Sequence, residues 1–493
     1  MFSLSNRFWV PLYLSVTLLI GWFTYVRDYD QPPYLFWDEN YHIASAQKYL
    51  DGIFFQEPHP PLGKLLIALG EYLVQPNVGK DVTSFHSTDH IKTLPEKYSF
   101  KGMRLVPTVM AWLTGGLLFL ALYFAIQNPH LAFAVGFFYN FDTALVLHSR
   151  SAMLEGSQLF FLIGSTALFL YLYQRARAVA WWHYLLFSLL VGAALAVKVN
   201  STIIFLLFPV LAFVDLRARL GEFHHYPATA LRTILPSVLI SLVGMGAVFL
   251  SAWIIHFQLG TKVVQDRYYG ASPAYKELLA KGETKSYKNL PLMLEDSYKY
   301  FANYQKGVPK LDVCKSGENG SYPVGWTVGI KSINYRWEKN KEGNVQYLYL
   351  QSNPIVWFSA LGAVILGVVL VGSRLFFGLA VKDQRSFWLI VLLLITYLGY
   401  LTTMMQVDRV MYLYHYFIPL LFAFILFGLI FKQLFERELL EHNPWVYAGL
   451  VLLVGQVIAV FIFFSPFSYY NGLSTADFWR RAWISGWKLE PIL

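Results

Sequence analysis

Two adjacent carboxylates, Asp38 and Glu39, follow the first apolar run of this chain in the string Tyr34-Leu35-Phe36-Trp37-Asp38-Glu39-Asn40-Tyr41-His42. Carboxylates at the wet end of an aromatic stretch suit general-base work, because partial burial and mutual repulsion raise their pKa values towards neutrality. The plain alternative is helix capping, in which the same groups satisfy free N–H groups and the helix dipole. Further on, His59-Pro60-Pro61-Leu62-Gly63-Lys64 sets a histidine and a lysine on either side of paired prolines that stiffen the backbone. A rigid His/Lys pair suits a phosphate; an interfacial turn with a snorkelling lysine explains it as well.

Other ionisable groups lie at membrane depth, where charge is expensive and usually faces a cavity or a partner. They are Arg104 at the start of the second apolar run, Asp142 in Tyr139-Asn140-Phe141-Asp142, and Arg150 with Glu155 in His148-Ser149-Arg150-Ser151-Ala152-Met153-Leu154-Glu155. Lys198 interrupts two apolar runs, and Arg409 stands near His415 in an aromatic string. Cations placed like this hold a lipid-linked phosphate by charge-assisted hydrogen bonds, or simply snorkel and tie helices together. Asp38, Glu39, His42 and His59 are also able to ligate a divalent metal, without a tight ligand motif. No Walker loop, dinucleotide fingerprint or nucleophile elbow is present, so NTP hydrolysis and serine chemistry have no support.

The elements that must position these groups follow from composition. Of 493 residues, 56% are hydrophobic and only 14% charged, well short of the roughly 25% charged in a soluble domain. The apolar residues form runs near 8–26, 104–126, 131–148, 154–173, 184–197, 199–214, 232–255, 354–373, 386–403, 411–431 and 444–464, about eleven crossings of an all-α polytopic membrane protein. The first run lacks a small-residue cleavage site and reads as a retained span. The net charge of +9 is spread over loops, which argues against nucleic acid as a partner, and the single cysteine, Cys314, excludes an intrachain disulfide.

Arg and Lys concentrate in alternate short loops, placing the long loops 27–103 and 256–353 together on the non-cytoplasmic face. The organisation is thus a membrane module 1–255 including loop 27–103, a loop domain 256–353, and a membrane module with tail 354–493. Helical spacing in 39–51 and 62–74 predicts two short interfacial helices in the first loop. A flippase or lipid-carrier transporter has a similar span count, but predicts paired, interrupted helices in two related halves, and no such symmetry is visible.

Taken in order, these strings resemble the protein O-mannosyltransferase family of GT-C membrane glycosyltransferases. The resemblance rests on Asp38-Glu39, His59-Pro60-Pro61-Leu62-Gly63-Lys64, Arg104, Phe141-Asp142-Thr143-Ala144-Leu145 running to Leu154-Glu155, Val197-Lys198-Val199-Asn200, Ser352-Asn353-Pro354, Tyr414-His415-Tyr416-Phe417-Ile418-Pro419 and Ser465-Pro466-Phe467. It implies a polyprenyl- or dolichyl-phosphate-mannose donor, a protein Ser/Thr acceptor, inversion at the sugar carbon and an outward-facing site. Asp38 is then the base, Glu39 shapes the acceptor site, and Arg104 supports the phosphate or the carboxylate. From their charge and placement, Lys198, Arg409 and Arg150 are further candidates for holding the donor phosphate. His59, Lys64, His42, Asp142 and Glu155 fall to acceptor or structural support. Loop 256–353 is too short for the β-trefoil insert of eukaryotic members, which points to a bacterial relative in the inner membrane with a periplasmic site, or a luminal site in the endoplasmic reticulum of a eukaryote. The related aminoarabinose and lipid A transferases keep a glycolipid acceptor open.

Overall fold

The computed structural model describes residues 4–175, 177–220, 226–341 and 343–492. Helix α1 (Leu4–Gly21) runs on through a π-helical turn at Trp22–Val26. The first long loop then folds into α2 (Glu39–Asp51) and α3 (Leu62–Val74), the two interfacial helices read from spacing. α2 stops at Gly52, whose left-handed backbone (φ 73°) lets its N–H return to the last turn. Seven helices follow, α4 (Leu105–Ile126), α5 (Pro129–Asn140), α6 (Thr143–Ser149), α7 (Glu155–Arg175), α8 (Trp181–Val197), α9 (Leu207–Leu220) and α10 (Tyr226–Leu259).

Among the described residues nine helices are long and apolar enough to cross a membrane, or ten if one bent pair counts as a span, fewer than the eleven read from the sequence. Two runs account for the difference. The run 131–148 is broken into α5 and α6, which meet at 61°. Asp142 causes the break: its carboxylate accepts the Leu145 N–H as the cap of α6 and also serves partners outside the helix, so the chain restarts there in a new direction. The run 184–197 is α8, only 17 residues long, because Lys198 takes an extended backbone and the chain continues as a 3-10 turn over Val199–Leu206.

The bundle core is apolar on facing helices, with Leu118 and Phe119 of α4 and Leu162 and Ile163 of α7 all fully buried. α7 and α4 approach backbone to backbone at Gly156, where an added Cβ would stand 2.6 Å from the Pro107 carbonyl oxygen. By contrast α10 leaves Leu239, Leu242 and Val243 exposed, the pattern of a lipid-facing helix.

The second long loop contains α11 (Pro273–Lys281), α12 (Leu290–Gly307), the single turn α13 (Pro323–Trp326), and the strands β1 (Ile333–Lys339) and β2 (Val345–Leu350). A third strand, β3 (Gly472–Leu473), comes from the C-terminal tail and completes an antiparallel sheet in the order β1-β2-β3. The fold is therefore helical with one small sheet that joins loop and tail, and no β-trefoil occurs among the described residues. α14 (Pro354–Phe377), α15 (Gln384–Met405), α16 (Phe417–Leu434), the short α17 (Glu436–Leu440) and α18 (Pro444–Phe464) complete the bundle. The loops are stitched together by Asp89, which accepts from Lys48 of α2 at 2.6 Å and from Arg267 and Tyr269 at 2.8 Å.

Candidate active site around Asp38

Asp38 stands at the N-terminus of α2, yet its side chain makes no capping hydrogen bond. Capping is thus not its role. The residue before it, Trp37, has a left-handed backbone (φ 50°), uncommon for a bulky side chain, and this turn aims Asp38 at the bundle head. There Oδ2 accepts the Tyr414 hydroxyl at 3.3 Å. Burial pushes the Asp38 carboxyl above the usual carboxylate range and the nearby Glu155 adds to it, while Lys198, His148 and Tyr414 pull the other way.

Below Asp38 lies a chain of charges. Lys198 Nζ pairs with Glu155 Oε1 at 2.6 Å, and Glu155 Oε2 lies 2.8 Å from His148 Nε2. His148 Nδ1 is 2.7 Å from the Tyr335 hydroxyl, and its ring stacks on Tyr414 at 4.8 Å. An ionised carboxylate only accepts, so His148 donates from Nε2 and takes the Tyr335 O–H at Nδ1. Tyr335 reaches this place through a β-bulge: the register passes from Asn334↔Tyr349 to Arg336↔Leu348, leaving Tyr335 as the extra residue. Its ring stacks on Trp37 at 4.9 Å. Lys198 also sits 5.3 Å from the Tyr414 ring centre.

His42 and His59 face the same charges. Burial holds both rings well below the usual histidine range; Lys64 is the next cause for His42, and Lys198 and Lys64 for His59. Both are neutral at pH 7, and each has a buried Nδ1 without a hydrogen-bond partner among the described residues. Arg409 is half-buried and uses Nη1 to donate to Gln305 of α12 at 2.8 Å.

The remaining predicted site residues are occupied elsewhere. Arg104 is fully buried, and all five of its N–H groups are spent, two on the Glu39 carboxylate at 2.7 and 2.8 Å and three on the carbonyls of Asp30, Pro32 and Tyr34. Glu39 also accepts the Ala152 N–H. Of the two partners expected for Arg104, phosphate or carboxylate, the structure shows the carboxylate, and the pairing leaves no free donor for a phosphate and no exposed Glu39 oxygen for an acceptor. Together they form a latch that fixes the first loop to the entry of α4. Arg150 donates to the carbonyls of Arg27 and Asp28 and stacks on Tyr469, bracing the start of the same loop instead of a phosphate. Lys64 is buried against Glu57 at 2.7 Å and Ser45 at 3.1 Å. Asp142 accepts from Leu145 N, Asn353 N and Trp357 Nε1, a structural strut. Asp38, Glu39, His42 and His59 do not converge as a ligand set, and no metal-ligating group of three or more His, Cys, Asp and Glu occurs among the described residues.

Of the residues singled out in the sequence, the structure brings Asp38, Lys198, Glu155, His42, His59 and Arg409 into one region, together with His148, Tyr335 and Tyr414, which the sequence reading did not single out. His148 was legible as a buried polar group one turn and a break before Glu155. Tyr335 was not, because a bulge cannot be read from composition.

This geometry can be set beside known proteins. Residues 15–259 match the dolichyl-phosphate-mannose-protein mannosyltransferase family, and residues 303–487 match the C-terminal four-transmembrane region of protein-O-mannosyltransferase. The chain belongs to the protein O-mannosyltransferase family. Protein O-mannosyl-transferase 2 of Danio rerio is 27% identical over 222 residues, 43% of this chain and 28% of the relative. Dolichyl-phosphate-mannose-protein mannosyltransferase 6 of Saccharomyces cerevisiae is 26% identical over 193 residues, 38% of this chain and 24% of the relative. The chain thus aligns with a minor part of the length of these curated relatives. The S. cerevisiae protein O-mannosyltransferase Pmt1-Pmt2 complex bound to the sugar donor superposes with a TM-score of 0.82, covering 99% of this chain and 93% of that one at 15% identity. That likeness concerns the fold. Family membership favours the enzyme reading over the carrier reading.

Proposed function

We propose that this member of the protein O-mannosyltransferase family is an inverting enzyme that moves mannose from a polyprenyl-phosphate-linked donor to a protein serine or threonine hydroxyl. The observation that carries the reading is Asp38, uncapped, aimed at the bundle head and held beside the buried Lys198–Glu155 ion pair. Its carboxylate takes the acceptor proton, and the acceptor oxygen attacks the anomeric carbon from the side opposite the phosphate. The carbon–oxygen bond to the phosphate breaks, and the lipid phosphate leaves with one more negative charge. Lys198 and Arg409 balance that charge, which matters most in a site of low dielectric. Lys198 gives one hydrogen bond to Glu155 and Arg409 one to Gln305, so each keeps donors for phosphate beside Asp38, whereas Arg104 has every donor filled and Arg150 and Lys64 are turned to the first loop.

The neutral rings of His42 and His59 offer their unpartnered nitrogens to sugar or acceptor hydroxyls. Trp37, Tyr335, Tyr412 and Tyr414 provide an aromatic surface on which a sugar face rests. The site faces away from the Arg-rich short loops, hence outside the cytoplasm, in a bacterial inner membrane. The test is direct: incubate the purified protein with polyprenyl-phosphate-mannose and serine- or threonine-containing peptides, and weigh the products. A one-hexose gain on peptide is expected. Transfer only to a glycolipid would replace the acceptor in this reading, and no transfer from any lipid-phosphate sugar would overturn it.

A further inference from the structure

At the end of the bundle far from Asp38, a groove of about 1040 Å³ opens between α9 and α15 beside the end of α7. Its wall is apolar, with Val210 and Phe213 from α9 and Trp388, Leu392 and Ile395 from α15. Its mouth is cationic, formed by Arg217 and Arg385. Arg217 is exposed and makes no hydrogen bond or ion pair among the described residues. Arg385 donates through Nη1 to the Gln174 carbonyl, which orients its guanidinium across the mouth, while Tyr173 donates to the Arg385 carbonyl. The nearby carboxylates are already committed: Asp215 to Arg219, Tyr184 and the Val179 N–H, and Asp383 to Lys432 and Ser386. Among the described residues the positive charge of the mouth is therefore uncompensated.

Two features show that this anion site is separate from the reaction centre. Chain direction places Lys198 at one end of the 3-10 turn and α9, and Arg217 near the other, a rise of about 32 Å, close to the thickness of a bilayer core. α15 runs the opposite way, from Arg385 to the segment that carries Arg409 and Tyr414. One phosphate cannot touch both ends.

We infer that this groove binds an anionic phospholipid from the leaflet on the far side of the membrane, with acyl chain along Phe213, Trp388 and Ile395 and headgroup phosphate between Arg217 and Arg385. The arrangement combines an apolar trough, an interfacial tryptophan and tyrosine, and paired cations at headgroup depth. Arginine suits the task because its planar fork grips phosphate oxygens in pairs. The lipid fills the cleft between α9 and α15, while nearer the site α15 packs on the 3-10 turn that leads into α9.

The test uses the full chain in detergent and native mass spectrometry with 1-palmitoyl-2-oleoyl phosphatidylglycerol, its phosphatidylcholine counterpart, and undecaprenyl phosphate. About a tenfold preference for the glycerol lipid is expected. It should be abolished in the double variant R217Q/R385Q and reduced but still present in R217K/R385K, which keeps the charge and loses the planar fork, with unchanged thermal unfolding in lipid-free detergent as the control for folding. Equal retention of the two phospholipids, or unchanged selectivity in R217Q/R385Q, would overturn the inference. So would displacement of phosphatidylglycerol from the wild type by undecaprenyl phosphate with the same dependence on Arg217 and Arg385, because the groove would then belong to a polyprenyl lipid.

Discussion

The Asp38-Glu39 pair divides its labour at the level of single side chains. Burial raises the Asp38 carboxyl above its unfolded value, so its proton contributes stability that is present at low pH and lost as pH rises through the raised value. At neutral pH the charged form therefore costs stability, the usual trade at a functional site. Asp38→Asn should cut transfer by about 10²- to 10⁴-fold while leaving thermal unfolding equal or higher. The acid limb of the wild-type kcat/KM profile should lie above the roughly 4 of a free aspartate. Glu39 behaves in the opposite way. Glu39→Gln leaves the Arg104 guanidinium buried without its counter-charge, and loss of one partner of a buried pair costs about 3–5 kcal/mol. Its melting temperature in detergent should fall steeply, and Arg104→Lys should not rescue the fold, because a lysine cannot fill five acceptor positions. Unfolding of Glu39→Gln at the wild-type temperature would sink the latch assignment.

At the level of elements, the site depends on how closely α7 and α4 approach. Glu155 begins α7, and Gly156 next to it faces the Pro107 carbonyl where no Cβ fits. A side chain here pushes α7 outward and carries Glu155 away from Lys198. Gly156→Val should lose roughly 1–3 kcal/mol of stability through overpacking and, in whatever protein folds, lose transfer as well. Retained wild-type activity in Gly156→Val would show that the Glu155-Lys198 pair does not need this contact. The bulge in β1 acts similarly from the other side, since it alone turns Tyr335 towards His148.

For the whole molecule, the two long loops behave as one cap over the bundle head. Lys48 is almost fully buried and burial lowers its pKa, so its ammonium relies on Asp89, which also holds Arg267 and Tyr269 of the second loop. Asp89→Asn should cost towards the low end of about 1–3 kcal/mol, because Asp89 itself is half-exposed. Hydrogen exchange should then rise together in α2 and in the segment before α11. Faster exchange in only one of them would mean that the loops open independently. The C-terminal tail joins the same cap through β3, which pairs with β2 of the second loop.

Apolar runs of bilayer length determined the class, the loops and most span positions from the sequence alone, because hydrophobic length is a local property of the chain. The same is true of the Asp38 string and the short loop helices. Only the tertiary structure decided which charges are free. Arg104, Lys198 and Arg409 look alike in a sequence, yet one has every donor filled by the first loop, one pairs with Glu155, and one keeps a half-buried guanidinium near His59. The break at Asp142 and the placing of Tyr335 belong to the same category. Whether a buried charge is spent or available depends on partners distant in sequence, 43 residues for Lys198 and Glu155 and 376 for Asp38 and Tyr414; such pairings follow from packing and leave no periodic trace in the chain.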